Sequence, residues 1–111
     1  MKTISANVKR AAIEMILLSL LCEQDMYGYE MVQEIKKRSN GEYSLLEGSM
    51  YPILYRLAEN GDVVDEERKV GVRLTRVYYH ITDSGKEHLR ELIKTFDEQI
   101  ALVNTMIRRD I

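Results

Sequence analysis

The chain has 111 residues, of which 45% are hydrophobic and 31% charged, and a net charge of −2. That balance fits one soluble globular domain, and one proline and six glycines leave little room for linkers or low-complexity segments. Charge is segregated: residues 42–67 carry seven acids against Arg56 alone, whereas residues 68–80 carry Arg68, Lys69, Arg73 and Arg76 and no acid.

A first helix is expected over residues 7–21, where Ile13, Ile16, Leu17, Leu18, Leu20 and Leu21 make it apolar nearly all round, as in a central buried helix. Its apolar run, residues 15–22, is shorter than the roughly 20 residues that span a bilayer. It ends in LLCEQD, with no small-residue cleavage site. No membrane association is expected, and the location inferred is cytoplasmic. Cys22 is the single cysteine; it cannot close an internal disulfide, and within this run it reads as a small buried hydrophobe.

After the turn EQDM, Tyr27, Met31, Val32 and Ile35 give helical spacing to residues 27–38. Lys36, Lys37 and Arg38 suit its C-terminal dipole, and Asn40-Gly41 suits a left-handed stop. A third helix falls between Ser44 and Asn60. Ser44-Leu45-Leu46-Glu47 has capping-box spacing, but Pro52 would lose an interior hydrogen bond. Either the regular helix begins nearer Gly48 or Ser49, or a bend is tolerated at Pro52. Leu54 and Leu57 are expected in the core.

Val63-Val64 leading into residues 65–69, and the alternating residues 76–81, read as two strands joined by a tip at 70–75. Thr82-Asp83-Ser84-Gly85 is rich in N-cap residues and opens the last helix. There Leu89, Ile93, Phe96, Ile100, Val103 and Ile107 are separated by four, three, four, three and four residues. This is the seam of a coiled coil. A helix of roughly 27 residues would reach about 40 Å, long for a small domain, so a second copy of the chain is the simplest partner for its far end. Packing within its own domain is the alternative.

The order helix–helix–helix–hairpin–helix is that of a winged helix-turn-helix domain, mainly α with a small β-hairpin (α+β). A DNA-binding unit over residues 1–82 and a dimerisation helix over 83–111 are expected. In such a fold the third helix enters the major groove of double-stranded DNA and the hairpin tip reaches phosphates or a neighbouring groove. The cations Arg73 and Arg76 flank that tip, and a merely solvated hairpin is the alternative. The acidic run 62–67 would repel DNA and is expected to point away. His80, His88 and Cys22 make no spaced zinc set, no phosphate loop or nucleophile elbow occurs, and neither an enzyme, a metal nor a cofactor is expected.

Three segments, Tyr27-Gly28-Tyr29-Glu30, Glu47-Gly48-Ser49-Met50-Tyr51-Pro52-Ile53-Leu54-Tyr55-Arg56-Leu57 and Tyr78-Tyr79-His80-Ile81-Thr82-Asp83-Ser84-Gly85, resemble the PadR family of transcriptional regulators. The family shows a HGYE-like start to helix two, an EGTLYPALxRL-like recognition helix and a YYxLTxxG-like end to the wing. The resemblance implies that Ser49, Tyr51 and Pro52 stand at the DNA-facing start of the third helix and that Tyr29 touches the DNA backbone. It leaves Arg56 between a phosphate contact and an ion pair with an acid such as Glu59. Family wings often carry Gly-Gly-x-Arg-Arg-Lys, whereas this tip reads Val70-Gly71-Val72-Arg73-Leu74-Thr75-Arg76. The resemblance further implies a homodimeric, ligand-responsive repressor on a pseudo-palindromic site. Flat aromatic or drug-like effectors would bind at the dimer interface, where Phe96 either stacks on ligand or only fills the seam. The alternatives are a winged-helix module that binds protein and a small-molecule sensor without strong DNA binding.

Overall fold

The computed structural model describes residues 6–111; residues 1–5 of the expected DNA-binding unit lie outside it. Helix α1 (Ala6–Glu23) is followed by strand β1 (Met26–Tyr27), helix α2 (Gly28–Arg38) and helix α3 (Glu47–Glu59). The hairpin β2 (Val63–Lys69) and β3 (Thr75–Ile81) then leads into helix α4 (Asp83–Met106). The three strands form an antiparallel sheet in the order β1-β3-β2, which with the helices makes an α+β winged helix-turn-helix fold.

The core gathers around α1. Ile13, Leu17, Leu18 and Leu20 are buried against Met31 of α2, Leu54 and Leu57 of α3, and Tyr79 and Ile81 of β3. Cys22 departs from expectation and is exposed. A helical step of three places it on the same face as exposed Ser19, and Arg38 next to this helix end is tied to Glu23 by two hydrogen bonds of 2.6 and 2.8 Å.

The helix stops follow their local chemistry. Asn40 and Gly41 both take positive φ, 54° and 78°, after α2. Thr82 caps α4, its hydroxyl accepting from the Gly85 amide at 3.0 Å. The capping box expected at Ser44 is not formed: α3 starts at Glu47, and its N-cap is Leu46, which offers no side-chain bond. Pro52 sits inside this helix. It cannot donate to the carbonyl of Gly48, four residues back, a loss that falls in the first turns of the helix beside an exposed glycine.

Strand β1 has no sequence signature, since two residues are too few for a period. It pairs Met26 with Tyr79 and Tyr27 with Tyr78, widening the hairpin into a sheet and fixing where α2 begins. Alternation along β2 also divides the acidic run. Asp62 is buried and accepts from the Ser84 hydroxyl at 2.8 Å. Asp65 and Glu67 pair with Tyr79 and Val77, on the sheet face that carries buried Tyr79, while Glu66 is on the opposite face. The acids therefore do not all point one way.

Helix α4 serves two environments. Leu89 is only 7% exposed and joins the core, so it is not available to a seam with another chain. Beyond it Ile93, Phe96, Ile100 and Val103 are 43–47% exposed. The helix ends at Met106, and Ile107 is already extended (φ −87°, ψ 152°), so the expected helical seam stops short of it. The radius of gyration, 16.0 Å, exceeds the roughly 13 Å of a compact domain this size because the far turns of α4 stand off the body.

Candidate nucleic-acid interface

A cleft of about 470 Å³ opens between the start of α2, the outer face of α3 and β3. Five tyrosines from four elements line it: Tyr27 of β1, Tyr29 of α2, Tyr51 and Tyr55 of α3, and Tyr79 of β3, with Arg76 at its edge. The first turn of α2 brings Tyr29 into it, half exposed, and Tyr51 is held by Gly28, where any Cβ would stand 2.2 Å from the tyrosine hydroxyl. Tyr55, one helical turn beyond Tyr51, stacks on it with ring centroids 5.9 Å apart and is 60% exposed. Burial, then the Glu47 charge and Tyr55, raise the Tyr51 pKa above the ordinary 10.0. Burial first, with Tyr55 and Tyr51 beside it, pushes Tyr79 up to about 12. Both phenols therefore stay protonated at neutral pH; half-buried Tyr51 can donate a hydrogen bond to an anionic oxygen, whereas Tyr79 belongs to the core.

The wing supplies the cations unevenly. Arg73 lies at the exposed tip between Val72 and Leu74, which are exposed as well. Arg76 lies lower on β3, its guanidinium 4.4 Å from the centre of the Tyr27 ring. Arg68 bonds to Asp25 at 2.6 Å and lies 3.5 Å from Glu66.

On α3, Ser49 is half-buried in the first turn and Pro52 is exposed one turn on. Arg56 points to the other side, its Nη2 3.6 Å from Glu14 of α1, so its acidic neighbour is Glu14 and not Glu59. That guanidinium nitrogen is buried and makes no hydrogen bond. The structure thus joins Tyr29, Tyr51 and Arg76 in one cleft, sets Ser49 and Pro52 beside it and Arg73 beyond it, and removes Arg56 to the back of the helix.

Comparison with known proteins agrees with this architecture. Residues 17–91 match the profile described as "Transcriptional regulator PadR-like family". The chain belongs to the PadR-like family of transcriptional regulators. It is 31% identical over 90 residues to the transcriptional regulator Rv3488 of Mycobacterium tuberculosis, covering 81% of this chain and 80% of that one. It is 28% identical over 75 residues to the negative transcriptional regulator PadR of Bacillus subtilis, covering 68% of this chain but only 41% of that protein. A transcriptional regulator from Clostridium thermocellum superposes with a TM-score of 0.84 at 29% identity, covering 96% of this chain and all of that one.

This PadR-like regulator has a second apolar region away from the cleft. A groove of about 330 Å³ runs between α1 and α4, where Met15 and Leu92 face Phe96, with His88 and Gln99 at its rim. On the other side of Met15 a wider apolar hollow of about 550 Å³ reaches Tyr43 and Ile93. Phe96 thus lines a groove and also belongs to the exposed face of α4. No helix among the described residues is long and apolar enough to cross a membrane.

Tyr55 and Tyr27 also line the cleft, where the sequence alone did not place them. The signal for Tyr55 was present, because it lies four residues after Tyr51 and shares its helical face. Tyr27 had no such signal, because its role depends on pairing with Tyr78, 51 positions later.

Proposed function

We propose that the protein is a homodimeric repressor that binds a pseudo-palindromic operator and is released by a flat aromatic or drug-like effector. Residues 1–82 would form the DNA-binding unit and residues 83–111 the dimerising one. The observation that carries the proposal is the uncovered apolar face of α4, where Ile93, Phe96, Ile100 and Val103 follow heptad spacing beyond the domain core. A second copy packed along that face would bury it and present two α3 helices about one helical turn of DNA apart, roughly 34 Å.

The cleft supports the DNA-binding half of the reading. Tyr29, Tyr51 and Tyr55 offer hydroxyl donors at the start of α2 and along α3, and Arg73 and Arg76 bring the cations of the wing. This surface is richer in phenols than in charge, so its binding should depend on salt only modestly. The groove at Phe96 adjoins the apolar face of α4, which supports an aromatic effector there. Repression accords with the name of the Bacillus subtilis relative.

A second reading, a winged-helix module that binds protein, is favoured by Glu47 and Glu59, both exposed on α3. Fragments selected from the source genome on the purified protein, followed by titration over a salt series, separate the two. Selective binding of a near-symmetric site, with a shallower salt slope for Arg73→Ala, is expected. No retention of any fragment at low salt would favour the protein-binding module.

A further inference from the structure

The outer face of the sheet carries a network that DNA contact alone does not explain. Asp25 lies between α1 and β1, and its two oxygens grip both strands of the wing. Oδ2 accepts from Nη2 of Arg68 on β2 at 2.6 Å, and Oδ1 lies 2.7 Å from Nδ1 of His80 on β3. Both partners project from the face opposite Tyr79. Arg68 also lies 4.5 Å over the Tyr78 ring, and Tyr78 meets Tyr27 edge-on at 5.4 Å. Tyr27 is the N-cap of α2, the first helix of the helix-turn-helix. A continuous column of contacts therefore runs from the stem of the wing to the residue that opens α2.

Charge alone gives Asp25 the wrong sign for a DNA-binding surface. A carboxylate near the duplex repels phosphates, and pairing with Arg68 withdraws a cation from them. Isolated surface ion pairs add little stability. This carboxylate, however, binds two side chains 43 and 55 residues away in sequence, so its effect is on the relative placement of elements.

We propose that Asp25 is a positioning residue for DNA recognition, locking the stem of the wing to the start of α2 and so fixing the reach between the wing tip at Arg73 and the tyrosines of α3. The proposal rests on the reading of the wing as a DNA-contacting element.

The test is a double-mutant cycle on Asp25 and Arg73, with affinity for a double-stranded fragment that the wild-type protein binds. Asp25→Ala should weaken binding about tenfold although each protomer becomes more positive by one charge. Glu67→Gln, which removes an acid from β2 on the face opposite Arg68, should tighten it. In the Asp25→Ala background, Arg73→Ala should cost less than twofold, because a released wing no longer delivers its tip. Asp25→Asn, which keeps the size of the side chain, replaces Asp25→Ala in the cycle if the alanine variant melts several degrees lower. Additive effects of the two substitutions, or equal or tighter binding by the Asp25 variant, would overturn the proposal. A wild-type protein that binds no fragment would instead remove the DNA-binding reading beneath it.

Discussion

A methyl group added at Gly28 would stand 2.2 Å from the Tyr51 hydroxyl oxygen and 2.7 Å from ring carbon Cζ. Neither atom can remain where it is. The obstructing atoms are the far end of one side chain, so Tyr51 can swing outward while the backbone stays in place. For the fold the terms nearly cancel. Alanine gains at most part of the ~1 kcal/mol interior helix propensity over glycine, since Gly28 is the first residue of α2, and the displaced ring forfeits about 0.5–1.5 kcal/mol of stacking with Tyr55. Gly28→Ala should therefore leave the thermal midpoint within a few degrees of wild type. For DNA the terms do not cancel. One or two hydroxyl contacts of about 1 kcal/mol each would be lost, a five- to thirtyfold fall in operator affinity. Circular-dichroism melting and fluorescence anisotropy with a labelled fragment measure the two quantities separately. Unchanged affinity with an unchanged midpoint would refute the reasoning, because Tyr51 could then not be read as an interface residue. A large loss of stability would refute it differently, by showing that Tyr51 is chiefly a core residue.

Leu54, fully buried on α3, should cost about 2–5 kcal/mol when replaced by alanine, read as an earlier denaturation midpoint. Ile100→Asp, at the centre of the exposed α4 face, should halve the sedimenting mass without unfolding the winged domain; a mass that does not change would exclude this face as the dimer seam. The Asp25 carboxyl is held below the ordinary 3.8 by its hydrogen bonds to Arg68 first and His80 second. A depressed folded pKa contributes stability that is present above the unfolded value and lost as pH falls through the folded one. The stability difference between wild type and Asp25→Asn should accordingly hold at neutral pH and shrink below about pH 4, and a difference independent of pH across that range would count against the ion pair.

Much of the fold is local enough to read from the chain. Asn40-Gly41 and Thr82 mark helix ends through their own backbone and side-chain chemistry, and the tip of the wing falls where glycine and turn residues interrupt alternation. What escaped depends on elements that meet only after folding. Arg56 is drawn to Glu14, 42 positions earlier, and β1 exists because β3 arrives beside it. Leu89 continues the apolar spacing of Ile93 and Phe96, yet packing against the body makes it core while its neighbours stay exposed. The period of a helix reveals which side chains share a face but not what covers that face. Cys22 shows the same limit at shorter range: the residues before it in sequence, Leu20 and Leu21, are apolar, but its neighbour one step of three back along the helix is exposed Ser19.

Helix α4 is rooted in the core at Leu89, with Leu92 packed beside it, and its far turns are exposed, so the direction of the rod is set by the winged domain. The rod of 24 residues measures about 36 Å. A tilt of about 10° displaces its far end by about 6 Å, close to two base-pair steps of 3.4 Å. In a pair of chains joined along these rods, the crossing angle acts as a vernier on the separation of the two α3 helices. A molecule wedged beside Phe96 would need to change that angle only slightly to put both helices out of step with the grooves they address.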